Sequence, residues 1–214
     1  MIERKQYLDL LINGREKQII KVVTGVRRCG KSTLFQLYID YLKSTGVSDD
    51  QIVSVNLEDI EYESLTDYKE LYGYVKDRLC TGKFTYVFLD EVQNCKNFEK
   101  VVDSLFLKPN VDVYITGSNA FMLSGELATL LSGRYITIDM LPFSFKEYCA
   151  AVAVNSKTVR EAFNDYLRFG SFPYVATLER NDVLVAPYVD GIYNTILVKD
   201  VATRGGITDI PLLE

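Results

Sequence analysis

The 214-residue chain contains no histidine. A His-based triad, a His metal ligand and an imidazole general base are therefore excluded, and acid–base work falls to carboxylates, lysine, tyrosine or cysteine. Cysteine is sparse: Cys29, Cys80, Cys95 and Cys149 are far apart and form no CxxC pair. That spacing argues against a zinc site, and a cytosolic chain keeps such thiols reduced. No run of 18 apolar residues occurs, so no membrane-spanning helix is expected. Met1-Ile2-Glu3-Arg4-Lys5 lacks the apolar core and cleavage site of a signal peptide, and a cytoplasmic location is the expectation. Repeats and low-complexity segments are also missing.

What remains is an ordinary globular composition, 48% hydrophobic and 25% charged. The net charge of −5 hides an asymmetry. Residues 1–34 hold eight Lys and Arg against three Asp and Glu, so they carry +5 and the remainder carries −10. A basic start suits a phosphate binder, while the acidic remainder gives no general support for nucleic-acid binding.

Short apolar runs alternate with helical spacings. Strands are expected at 19–24, 52–57, 86–89, 111–116 and 135–139. Helices are expected at 7–12, 32–43, 65–79, 98–107 and 120–131. This alternation predicts an α/β fold with a parallel sheet covered on both faces. After Pro142 only helices are expected, at 145–153, 159–169 and 183–199, with a break at Gly170-Ser171-Phe172-Pro173. The expected organisation is a P-loop domain over residues 1–142 and a helical lid or linker over 143–214. Thr208-Asp209-Ile210-Pro211 reads as the start of a helix that Glu214 cuts short, so a further C-terminal domain is expected in the full protein.

Gly25-Val26-Arg27-Arg28-Cys29-Gly30-Lys31-Ser32 fits GxxxxGK[ST] at every fixed position and lies between a predicted strand and a predicted helix. In such a loop, backbone N–H groups and the helix N-terminus face phosphates, and glycines let the backbone come close. Lys31 is expected on the β- and γ-phosphates, Ser32 on Mg²⁺ and Thr33 near the α-phosphate. Tyr86-Val87-Phe88-Leu89-Asp90-Glu91 carries two acids to the C-terminal edge of the sheet, where ligands bind in these folds. There Asp90 would hold Mg²⁺ through water and Glu91 would polarise the attacking water. Alone, a strand ending in two acids is also an ordinary solvated strand end; the phosphate loop tips the reading.

Three further candidates stay open on sequence. Asn119, in Thr116-Gly117-Ser118-Asn119, either senses the γ-phosphate or lytic water, or caps the next helix as Ser118 could. Arg134 is either an arginine finger, in cis or from a neighbouring subunit, or a salt-bridged surface residue. Arg27 and Arg28 either balance phosphate charge or pair with the Glu58-Asp59-Glu61 stretch. Cys29 occupies a variable loop position; a catalytic role is disfavoured, but alkylating its thiol is expected to block ATP binding, with bound ATP protecting it.

With these motifs in place, the chain resembles AAA-type P-loop ATPases of archaea and bacteria, in the branch whose loop reads G-x-R-R-x-G-K-[ST]. The resemblance rests on Gly25–Thr33, Phe88–Gln93, Thr116–Asn119, Leu131–Arg134 and Leu141-Pro142-Phe143-Ser144-Phe145-Lys146-Glu147-Tyr148, in the family's order. It implies a sheet order of 5-1-4-3-2, a Mg-dependent ATPase with water activated at Glu91, a sensor at Asn119 and a finger-like Arg134. Members usually carry a C-terminal domain of restriction-nuclease-like character. One departure is Gly170-Ser171, where the family often has two glycines before Phe-Pro.

The leading expectation is thus an ATPase whose turnover drives or switches an attached or partner domain, with oligomers possible. Nucleic acid would enter only through a part of the protein beyond Glu214. Two other classes share the loop: a nucleotide or small-molecule kinase, and a non-hydrolysing ATP-dependent switch or DNA-associated module. Phosphate release without an added acceptor separates the first, and turnover above that of Glu91→Gln separates the second.

Overall fold

The computed structural model describes residues 2–117, 131, 133–152, 158–178 and 181–196. Its β-rich runs form strands at Ile20–Gly25 (β1), Ile52–Asn56 (β2), Thr85–Asp90 (β3), Val111–Thr116 (β4) and Tyr135–Met140 (β5). They join in one sheet of order β2-β3-β4-β1-β5. The β2–β3, β3–β4 and β4–β1 ladders are all parallel, with Asn56 opposite Asp90 and Val23 opposite Thr116. This is the five-stranded parallel arrangement of a P-loop NTPase and agrees with the predicted order read from the other edge. Burial follows position: β1 and β3 are buried throughout, while β2 and β5 alternate as edge strands do.

Helices at Lys5–Gly14 (α1), Lys31–Ser44 (α2), Tyr68–Lys76 (α3) and Phe98–Phe106 (α4) cover this sheet. The third begins three residues later than its apolar spacing suggests. Asp67 accepts hydrogen bonds from the N–H groups of Lys69 and Glu70 at 2.8 and 3.4 Å, which fixes the helix start. Leu65 is buried all the same, in a short 3₁₀ segment before that cap. The helix expected at 120–131 lies outside the described residues, apart from the buried Leu131, as does the chain end around Thr208–Glu214.

Among the described residues, three more helices follow β5: Phe145–Ala151 (α5), Val159–Phe169 (α6) and Asp182–Thr195 (α7). Two start at reciprocal caps spelled out by S/T-x-x-E. Ser144 N–H donates to Glu147 at 2.8 Å, and Thr158 N–H donates to Glu161 at 2.8 Å. By internal contacts the chain divides into two compact units. One comprises Lys5–Thr24 and Lys31–Asp139; the other comprises Met1–Arg4, Gly25–Gly30 and Met140–Glu214.

The two faces of the sheet are chemically different. One is aliphatic: Ile20, Val22, Val55, Val87, Leu89 and Ile115 meet Leu71, Val75, Val101 and Leu105. The other is aromatic and polar. Phe35 and Tyr38 of α2 meet Phe88 and Tyr114, with ring centroids 4.8–5.2 Å apart in the Phe35–Phe88, Tyr38–Tyr114 and Phe88–Tyr114 pairs. Beneath them lies a fully buried ion pair between Lys21 and Asp112. Asp112 also accepts from the Tyr114 hydroxyl and the Glu16 N–H, each at 2.7 Å, while the Tyr38 and Tyr114 hydroxyls lie 3.0 Å apart. Burial pushes the Lys21 ammonium below its ordinary range, opposed by Asp112, and holds both tyrosines protonated well above theirs.

A pair of this kind is far more costly to break than to replace. Asp112→Ala is expected to lose about 3–5 kcal/mol of stability, because it strands the Lys21 charge. The double variant Lys21→Met/Asp112→Leu should lose clearly less. Urea unfolding of both decides the matter, and equal losses would sink the stranded-charge account.

Candidate phosphate-binding site

The motif residues Gly25–Gly30 connect β1 to α2. Gly25 is required for space: a Cβ there would lie 2.4 Å from the Met140 carbonyl oxygen and 2.7 Å from Cys29 Sγ. Gly30 is required for conformation, with φ of 104°, and Arg28 is also left-handed at 63°. A turn closed by Cys29 N–H on the Val26 carbonyl at 3.3 Å, with left-handed Arg28 inside it and left-handed Gly30 after it, curls the backbone as phosphate-binding concavities do. The Arg28 guanidinium lies over the Tyr188 ring, 5.6 Å from its centroid. Cys29 is fully buried, so the alkylation expected from sequence requires the loop to open first.

The next residue, Lys31, opens α2, whose N-terminus carries the partial positive charge that suits an anion. Its ammonium is nearly buried and lies 3.6 Å from Glu91 Oε1. Glu91 stands just past β3 in a left-handed conformation, φ 54° and ψ 51°, which turns its side chain off the strand direction. Its second oxygen accepts from Gln93 Nε2 at 2.5 Å, and Gln93 Oε1 is buried with no hydrogen-bond partner among the described residues.

Asp90 is the last residue of β3 and is 7% exposed. Burial raises its pKa, while hydrogen bonds from Ser32 and Thr116 and the Lys31 charge pull it down, and Glu91 adds to the rise. Thr116, at the end of the neighbouring strand, serves both acids: its hydroxyl donates to Asp90 and accepts from the Glu91 N–H at 3.0 Å. Lys31, Ser32, Asp90 and Glu91 are therefore brought together as the motifs imply. Thr33 is exposed beside Ser32 on the first turn of α2. Asn119 lies outside the described residues.

Arg134 is not part of this cluster. It precedes β5, and its carbonyl accepts from Ile20 N–H, at the edge of the sheet where the parallel strands begin. Asp90 and Thr116 end their strands at the opposite edge; a six-residue strand separates the two edges by roughly 17–20 Å. The Arg134 guanidinium lies 3.6 Å from Asp103 and 5.5 Å from the centre of the Phe106 ring.

Magnesium suits the residues present. A hard, small cation takes oxygen ligands, commonly one carboxylate and a hydroxyl, with water and phosphate oxygens completing the set. Ser32 and Asp90 supply that pair in direct contact, and the raised pKa of Asp90 marks a carboxylate for which a nearby cation would be welcome. No group of three or more His, Cys, Asp or Glu suited to an all-protein metal cage occurs among the described residues.

Sequence reasoning passed over Thr116 and Gln93 as individual actors. Thr116 could have been found by register, since Leu89 pairs with Ile115 and the following residues are Asp90 and Thr116. Gln93 had no such signal; only the left-handed Glu91 folds the chain so that position 93 reaches back.

A family model for the AAA domain matches residues 17–149. An uncharacterised protein of Haemophilus influenzae is 38% identical over 217 residues, covering all of this chain and 54% of that protein. An uncharacterised protein of Methanocaldococcus jannaschii is 31% identical over 204 residues, covering 89% of this chain and 44% of its own length. The chain thus spans about half the length of the curated relatives it matches. Among solved structures, the Walker-type ATPase of Pyrococcus abyssi aligns at TM-score 0.61 and 14% identity, covering all of this chain and 77% of that one. AMPPCP-bound DnaA from Aquifex aeolicus aligns at TM-score 0.53 and 14% identity, covering 94% and 62%. At such identities the structural likeness speaks for the fold. No helix among the described residues is long and apolar enough to cross a membrane. With its matched model spanning well over half the sequence, this chain belongs to the AAA domain family.

Proposed function

We propose that this chain binds ATP with magnesium and hydrolyses it, and that turnover drives or switches an attached or partner domain. The observation that carries the reading is the contact of Lys31 with Glu91 beside the Ser32–Asp90 pair, directly after a GxxxxGK[ST] loop. A structural neighbour bound to AMPPCP, an ATP analogue, and another described as a Walker-type ATPase support it.

Each residue then has a task. Backbone N–H groups of residues 25–30 and the start of α2 bind phosphate oxygens, and Lys31 contacts the β- and γ-phosphates. Ser32 and Asp90 hold magnesium, which when bound neutralises charge on the phosphates. Glu91 accepts a proton from water as the water oxygen bonds to the γ-phosphorus; the bond to the β,γ-bridging oxygen breaks, leaving ADP and phosphate. In the present arrangement both Glu91 oxygens are engaged, one by Lys31 and one by Gln93. An incoming phosphate competes for Lys31 and frees the first of them to serve as base. Asn119 is assigned the sensing role on the strength of its motif.

Arg134 acts, in this reading, from a neighbouring subunit. Its exposure of 44%, its pairing with Asp103 and its distance from the acids in its own chain all favour donation in trans.

Phosphate release measured beside Mg-ATP binding tests the assignment. Lys31→Ala should lose binding; Glu91→Gln should bind but turn over about 10²–10⁴-fold more slowly. Wild type that binds without exceeding Glu91→Gln would reduce the chain to a switch.

For Arg134, the variant Arg134→Ala should bind ATP but lose on the order of 10³-fold in turnover. Mixing it with Lys31→Ala should restore activity that neither shows alone, because one of the two mixed arrangements pairs the intact loop of the Arg134→Ala subunit with the intact arginine of the Lys31→Ala subunit. Absence of any restoration would count against action in trans.

A further inference from the structure

Arg4 is 4% exposed, although only three residues precede it. Its guanidinium spends its donors on three separate stretches of one compact unit. Nη1 donates to the buried Cys29 carbonyl of the phosphate loop at 3.2 Å. Nη2 donates to the Leu141 carbonyl at 2.7 Å and to that of Pro142 at 3.5 Å. Nε donates to Glu147 Oε1 at 2.7 Å, and the group lies 5.1 Å from the centre of the Phe143 ring. The other Glu147 oxygen is the cap of α5, accepting from Ser144 N–H. One side chain thus ties the loop to the segment Leu141–Glu147, a stretch to which the phosphate motifs alone assign no task.

The Cys29 contact has a geometric consequence for phosphate. The Cys29–Gly30 peptide is trans, so its carbonyl and the Gly30 N–H point in opposite directions. Holding the carbonyl on Arg4 aims the N–H of Gly30 away from Arg4. That residue is already in the left-handed conformation that shapes the concavity. Were the peptide free to rotate, a donor would be lost from the loop, and the carbonyl would present negative charge to an anion. The planar fork of an arginine can hold two carbonyls and a carboxylate at once; a lysine ammonium is a point charge on a flexible stem.

We infer that Arg4 is a positioning residue for nucleotide binding: it sets the Cys29–Gly30 peptide, and through Glu147 it makes the loop's conformation depend on the α5 segment. This rests on the Mg-ATP reading above. A shift of α5 that withdrew Glu147 would loosen the loop, so a partner acting on this segment could alter nucleotide affinity without touching the nucleotide.

Calorimetric titration with Mg-ATP, beside thermal melts and steady-state phosphate release, tests it on wild type, Arg4→Met, Arg4→Lys and a core-cavity control, Leu105→Ala. Both Arg4 variants are expected to raise Kd about tenfold, the scale of one charge-assisted hydrogen bond. Their kcat at saturating ATP should stay within about twofold, because Arg4 touches no reacting atom. Leu105→Ala should lower Tm while leaving Kd in place. Wild-type Kd in both Arg4 variants overturns the inference, as does an equal rise in Kd in the cavity control at a matched loss of Tm. Should Arg4→Met fail to fold, Arg4→Lys alone decides by the same criterion. If wild type binds no Mg-ATP, the nucleotide reading itself falls and this inference with it; binding by wild type with unchanged Arg4 variants removes only the latter.

Discussion

Parallel pairing of β1, β3 and β4 is the constraint on which the site depends. It forces all three strands to end at one edge of the sheet, so Asp90 and Glu91 after β3 and Thr116 of β4 become neighbours although they are distant in sequence. The pairing also sets the chemistry. A strand buried throughout, as β3 is, delivers Asp90 from a low-dielectric core, which explains why burial is the leading cause of its raised pKa. Thr116 then takes up the cost locally, with one hydroxyl donating to Asp90 and accepting from the Glu91 N–H.

The same pairing separates what must not meet. Arg134 stands where β5 begins, on the edge that also holds the starts of β1 and β4. No rotamer change carries a guanidinium across the length of a strand, so within one chain Arg134 stays apart from Asp90 and Glu91. That separation needs only strand direction.

How much of this could be read from the chain follows from the range of the interactions involved. The phosphate loop, the apolar strand with its two acids and the sheet order were legible because each is written in a few consecutive residues or implied by the family likeness. Helix α6 began and ended as expected, at Val159 and Phe169, because Thr158 and Glu161 declare its start. The start of α3 was misplaced because Leu65 fits the apolar spacing while Asp67 stops the helix reaching it. The Lys21–Asp112 pair was invisible: 91 residues separate the two, and each alone looks like a polar interruption in an apolar strand. Arg4 was hidden likewise, counted among the basic residues of the N-terminus when its partners lie 25, 137 and 143 positions away.

Contacts around Glu91 bear on how the proposed hydrolysis could run in a chain without histidine. Glu91 is held by Lys31 on one oxygen and by Gln93 on the other. Lys31 and Glu91 are both of low exposure, where an unpaired charge would be costly. In the function proposed above, Lys31 is also the residue that a phosphate recruits. In that proposal the group that holds Glu91 at rest is the group that substrate draws away, so freeing the carboxylate and occupying the site are one event. An imidazole, able to become neutral by shedding a proton, would not need such a partner and would not be coupled to the nucleotide in this way.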